Sequence, residues 1–150
     1  MRYMKITKCS GIQLIFNPKL PQNKLPVFPV PAMPSDLKEG GTLFGGWILS
    51  HVDIAGSIPA ALRAKGPVVT RAVDSFEFKK PVFAGDLISC YAEVVSVGRT
   101  SITVHVEVYA QHMDKGVVST MPVTEASLVY VAIDDHGKPR PIPDEKNLHN

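Results

Sequence analysis

Cysteine is scarce in this chain: Cys9 and Cys90 are the only two. They form no CxxC pair and no metal-ligand spacing. A reduced compartment, the cytoplasm, is therefore the simpler expectation, with each cysteine free to act as a small apolar residue. Long hydrophobic runs are missing too. No apolar stretch approaches the ~20 residues that cross a membrane, so no membrane partner is expected. Excess charge of one sign is also absent: 16 basic against 14 acidic residues leave a formal charge of +2. With the basic residues dispersed, nucleic acid is not the expected partner, although small anionic ligands remain open. Motifs that announce a catalytic class are lacking as well, for there is no HExxH helix, no GxSxG elbow and no P-loop.

What is present suits one globular domain. Apolar residues make up 45% of the chain and charged residues 20%, over a length sufficient for a real core. The first sixteen residues, MRYMKITKCSGIQLIF, are basic and acid-free with a short apolar end. That end is too short for a targeting segment and has no small-residue cleavage pattern. Residues 1–22 are accordingly expected to be an unstructured or variable extension. Six prolines between Asn17 and Pro34 mark a connector, in which Leu25 to Val30 can form an edge strand because an edge tolerates the missing N–H. In the loop Met33 to Glu39, Asp36 is as suited to bonding its own backbone as to chemistry.

The only helical period lies between Gly40 and Gly66, GGTLFGGWILSHVDIAGSIPAALRAKG. Apolar residues from Phe44 to Leu62 cover most of the circumference, which predicts a buried helix from Gly45 to about Lys65, stopped by Gly66 and Pro67. Its polar stripe is Ser50, Asp53 and Ser57, three and four residues apart and so on one face. A semi-buried Asp53 costs several kcal/mol, of order that of a hydrogen-bond network, unless it is paired or used. Gly45 and Gly46 open the helix, where unpaired N–H donors at the positive end of the dipole can receive an anion or a polarised carbonyl. A plainer reading stands beside this one: a tight start to the helix, a satisfied buried acid, and serines bonded back to the helix. Pro59 falls late in the helix and removes one backbone bond. Trp47 reads as core, and His51 lies off the Asp53 face.

Four strand candidates follow, Val68–Lys79, Leu87–Val97, Thr100–Gln111 and Thr120–Ile133, separated by turn signals. The first places Thr70, Ala72, Asp74, Phe76 and Phe78 on one side, with Val69, Arg71, Val73, Ser75 and Glu77 on the other. The third sends Ile102, Val104, Val106, Val108 and Ala110 inward. A polar loop around Asp114, Lys115 and Gly116 leads to the last strand. The fold class is thus α+β: an antiparallel five-stranded sheet wrapped around one long central helix, with a partner subunit completing the helix's burial. The domain spans residues 23–143, and 144–150 form a polar tail.

That order of elements, with MPSD (33–36), LFGGWILSHVDIAG (43–56), KKPVFAGD (79–86), VGRTSITVHVEVYA (97–110) and GKPRPIP (137–143), resembles the hotdog-fold acyl-CoA thioesterases, in particular their YciA-like branch. The resemblance implies hydrolysis of acyl-CoA to free acid and CoA, with sites at a dimer interface and dimers assembled into hexamers as trimers of dimers. Coenzyme A is then substrate and product, and no separate cofactor or metal is implied. Carried over by residue, the catalytic carboxylate falls on Asp53, as general base or nucleophile, and the N–H groups near Gly45 and Gly46 polarise the thioester carbonyl. Arg99, Thr100, Ser101, Lys138 and Arg140 match segments near the nucleotide, with Ser57 beside the substrate. An ordinary solvated role is equally open to these charges. The family's NANG before the helix is here Lys38, Glu39, Gly40, Gly41. An amide is lost, so that either Lys38 takes over as a donor, the backbone suffices, or activity is reduced or altered. A hotdog module that binds acyl-CoA without turnover, as a sensor, is the alternative. A dehydratase is disfavoured because no GHFP-like loop with its histidine is present.

Overall fold

The computed structural model describes residues 20, 21 and 26–144. The expected N-terminal extension and most of the polar tail therefore lie outside the described residues. Strands β1 (Phe28–Pro31), β2 (Val68–Phe78), β3 (Leu87–Val97), β4 (Ser101–Asp114) and β5 (Val117–Ala132) accompany one helix, α1 (Gly45–Ala64). They form a single sheet in the order β1-β3-β4-β5-β2, antiparallel throughout. The two prolines of β1 sit on an edge strand, where a missing N–H is tolerated.

The sheet's concave side is built by the expected alternation. Ile102, Val104, Val106, Val108 and Ala110 of β4 are all fully buried. Against them α1 lays Ile48, Val52, Ala55, Gly56, Ala60 and Ala64. One sheet covers only this face. Ile54, Ile58 and Leu62 remain exposed in the protomer, Leu62 to 75%. The helix that reads as buried all round is half-covered here, which leaves a large apolar face exposed in the protomer. Pro59 lies inside α1, which continues to Ala64 and ends with Lys65 in the left-handed conformation. Asp36 takes the plainer of its two roles, accepting the Met33 N–H at 3.1 Å.

Two corrections concern strands. The polar loop expected at Asp114–Gly116 is a two-residue turn, because Lys115 and Gly116 both adopt positive φ (47° and 81°) and Asp114 pairs with Val117. This geometry matches the sheet's twist and lengthens both strands. Lysine in the left-handed region is strained by roughly 1 kcal/mol. Lys115→Asn is therefore expected to raise the melting temperature by a few degrees. In β2, register shifts between Thr70 and Ala72 and between Val73 and Ser75 break the simple alternation. Each leaves one extra residue on β2, so the face flips along the strand.

Cys90 is buried in β3, and burial pushes its thiol up to about 12. The native protein is expected to resist alkylation at Cys90 at pH 8, as read by mass mapping, until it is unfolded. Because the folded pKa lies above the unfolded value, the linked stability is full below about pH 8.5 and falls as pH rises toward 12.

Candidate active site

Asp53 is half-buried near the middle of α1, facing β2 and β5. The Thr70 hydroxyl donates to its Oδ1 at 2.5 Å. The Tyr130 hydroxyl donates to the main-chain carbonyl of Asp53 at 2.7 Å and lies 3.2 Å from the same Oδ1. Thr70 and Tyr130 are direct cross-strand partners in the β2–β5 ladder, so the two strands present both hydroxyls to one carboxylate oxygen. Oδ2 has no hydrogen bond among the described residues and remains open. Burial first, and Asp53 second, push the Tyr130 phenol well above its ordinary range, which keeps it a neutral donor.

This arrangement depends on Gly56. A Cβ there would lie 2.4 Å from the Tyr130 oxygen, so only glycine lets the fully buried tyrosine pass beneath the helix to Asp53. Tyr130, Thr70 and Gly56 escape sequence reasoning. For the two hydroxyls the one signal is a polar group inside an apolar strand, and the partner, Asp53, lies 17 residues from Thr70 and 77 from Tyr130.

Asp53 lines a cavity of about 290 Å³ with Gly46, Leu49, Ser50, Thr70 and Val73. Thr70 and Val73, expected on opposite sides of β2, share this cavity because of the bulges. A second cavity, about 410 Å³, is lined by Gly45, Lys38, Ile48, Phe78 and Lys80 among others. The two glycines read as one pair in the sequence thus open onto different cavities. A Cβ on Gly45 would press the Phe78 ring at 2.8 Å, whereas none of the neighbours approaches Gly46. Phe44, the helix N-cap, makes no side-chain hydrogen bond, so the first amides of α1 have no side-chain cap.

The remaining stripe residues take the plain roles. Ser50 Oγ donates to the Trp47 carbonyl and Ser57 Oγ to the Ile54 carbonyl, each at 2.7 Å. The His51 ring stacks on Trp47 at 3.8 Å, and its Nδ1–H donates to the Trp47 carbonyl.

At the far end of α1 the nucleotide candidates come together. The Ile142 N–H donates to the Arg99 carbonyl and the Ala132 N–H to that of Thr100, so the turn carrying Arg99, Thr100 and Ser101 lies beside the tail. Arg99 and Lys138 are exposed. Arg140 behaves differently, because its Nε donates to the Ile133 carbonyl and its Nη2 to the Ala64 carbonyl, each at 2.9 Å. It ties the negative end of the helix to the residue after β5, spending one of its five donors on the Ala64 carbonyl and one on that of Ile133. Among the described residues no group of histidine, cysteine or carboxylate side chains could hold a metal ion, and no helix of the described residues is long and apolar enough to cross a membrane.

One long helix cradled in a five-stranded antiparallel sheet defines a hotdog-fold protein, and that helix carries a half-buried carboxylate that lines a cavity. The comparisons agree. Residues 40–117 match the thioesterase superfamily. The acyl-CoA thioester hydrolase YciA of Salmonella typhimurium is 43% identical over 124 residues, covering 82% of this chain and 92% of that one. A hexameric hotdog-fold thioesterase of Campylobacter jejuni superposes with a TM-score of 0.78 at 49% identity, over 83% of this chain and 95% of that chain. An acyl-CoA hydrolase of Staphylococcus aureus, solved with butyryl-CoA and CoA, gives a TM-score of 0.71 at 31% identity, over 77% and 70% of the two chains. The chain belongs to the thioesterase superfamily, in its YciA-like acyl-CoA thioester hydrolase branch. Alanine variants of the Staphylococcus protein alter an asparagine and an aspartate fifteen positions apart. The residue fifteen positions before Asp53 is Lys38.

Proposed function

We propose that this protein hydrolyses acyl-CoA thioesters to the free acid and CoA, with Asp53 as the acid–base or nucleophilic group. The observation that carries this reading is the carboxylate itself. Oδ1 is held by the Thr70 and Tyr130 hydroxyls, Oδ2 has no hydrogen bond among the described residues, and Asp53 lines the cavity. So held, Oδ2 can take a proton from water attacking the thioester carbonyl, or attack that carbonyl directly. The CoA thiolate leaves readily, so one carboxylate and one oxyanion site suffice, and neither metal nor cofactor is called for. Water labelled with heavy oxygen, in a single turnover, distinguishes the two routes by whether label enters Asp53.

The oxyanion donors are the amides at Gly45 and Gly46. They lie about 10 Å from Asp53 along the same helix, too far for one carbonyl to meet both. The exposed apolar face of α1 and the unpaired edge of β2 fit a second copy of this chain, whose helix start would face Asp53. A dimer with two interfacial sites follows from this, and three such dimers would make a hexamer, the number of subunits in the Campylobacter relative. Arg99, Thr100, Ser101 and Lys138 receive the CoA phosphates, beside an Arg140 anchored to the helix end. Ser57 borders the substrate. Lys38 lies fifteen positions before Asp53, the spacing that separates the altered asparagine and aspartate of the Staphylococcus chain, and sets an ammonium group rather than an amide beside the substrate. The reaction belongs in the cytoplasm.

A second reading is acyl-CoA binding without turnover, favoured by the amide lost at Lys38. Free-thiol release from acyl-CoAs, acetyl to palmitoyl, tests between them. Release supports the hydrolase, and binding without release from any of them supports the sensor.

A further inference from the structure

We propose that the cavity at the start of α1 receives the free carboxylate of a short acyl group, so that this chain prefers carboxyacyl-CoA thioesters to neutral ones of equal length. The proposal rests on the thioesterase reading and names the substrate class for it.

The cavity joins two segments that are distant in sequence. The Leu43 N–H donates to the Val82 carbonyl at 3.0 Å and Thr42 bridges Phe83. These bonds bring the loop of Lys38 against the end of β2 and the Lys79–Lys80 pair. Its floor is apolar, formed by the nearly buried Leu43, Ile48 and Val82. Its charged lining is lysine only: Lys38, Lys79 and Lys80, with no carboxylate among the lining residues. Lys79 is spent, because its Nζ lies 2.5 Å from Glu125. Lys38 and Lys80 have no acidic partner among the described residues. The side-chain-uncapped start of α1, at Gly45, opens into the same space and adds the positive end of the helix dipole.

A cavity of about 410 Å³ sits at the small end of ligand pockets and suits a short chain. A neutral chain would gain nothing from two ammonium groups and would cost them hydration. A terminal carboxylate instead forms charge-assisted hydrogen bonds with them. The phosphates of the CoA bound beside Arg99 and Lys138 do not account for these cations. They sit at the other end of a helix whose twenty residues span about 30 Å.

The test compares matched pairs, butyryl- with succinyl-CoA and hexanoyl- with adipoyl-CoA, in the wild type, Lys80→Gln and Lys38→Gln/Lys80→Gln. The wild type should favour the carboxylated member in kcat/KM by roughly tenfold, and the double variant should bring the ratio to about one, mainly through KM. Lys80→Gln should lie between them. A wild-type ratio at or below one, or a ratio unmoved by the substitutions, overturns the proposal. Calorimetry with CoA alone separates the sources of the anion. Equal weakening of CoA itself in the double variant would mean that the lysines hold phosphate, and the proposal would fall. Should no acyl-CoA be hydrolysed, the thioesterase reading fails instead, and the ratio of dissociation constants for the same pairs still decides the subsite.

Discussion

Asp53→Asn should lower kcat for thiol release by about a thousandfold, the usual weight of a positioned acid–base group, while CoA affinity stays within about twofold. The substitution is nearly isosteric. Thr70 can still donate to the amide oxygen, and Tyr130 still bonds the unchanged main-chain carbonyl of residue 53. What disappears is the oxygen that accepts a proton or attacks carbon. The melting temperature should therefore move little, and a drop in both activity and stability would point to a structural acid. Thiol release, calorimetry with CoA and a thermal melt on one preparation separate the cases. If kcat survives, Asp53 is not the catalytic group, and the hydroxyls around it serve only to satisfy a half-buried carboxylate.

Gly56→Ala carries the second large effect, and its two parts have opposite signs. Alanine is favoured over glycine in a helix by about 1 kcal/mol. Its Cβ, however, would stand 2.4 Å from the Tyr130 oxygen and 3.1 Å from the ring. That tyrosine has no exposed surface into which to retreat, and overpacking of this kind costs about 1–3 kcal/mol. Stability should fall modestly, by up to about 2 kcal/mol. Activity should fall further, at least tenfold, because the displaced hydroxyl no longer holds Asp53. Tyr130→Phe removes the same hydrogen bond, at a cost of about 1 kcal/mol, and also most of the clash. In the double variant the two losses should be clearly less than additive, in both melting temperature and kcat. Additive losses would mean that Gly56 and Tyr130 act separately and that the close contact does not position the carboxylate.

Much of this protein is legible along the chain. The 3.6-residue period and Gly45 place α1 to within a residue, because helical hydrogen bonds close over four positions and leave a local trace. Strand β4 shows its alternation because one face is wholly buried, and the turn residues around β3 place it to the residue. Asp53 stands out for an equally local reason, a carboxylate on a helix with little other polarity. The order of motifs was enough for the family.

Tertiary structure decided what surrounds that carboxylate. Thr70 and Tyr130 meet only because β2 pairs with β5 across some sixty residues, and the bulges in β2 set which side chains face the helix. Gly45 and Gly46 are neighbours in the chain yet open onto separate cavities, since successive helical residues point about 100° apart. Arg140 reads from the sequence only as a charge suited to phosphate, and the fold adds that one of its donors holds the helix-end carbonyl of Ala64 and another that of Ile133. Hydrophobic period is a local property, so the sequence determined the helix, the strands and the acid. Strand register and long-range contacts depend on how distant faces fit, so only the folded chain determined what holds that acid and what lies open beside it.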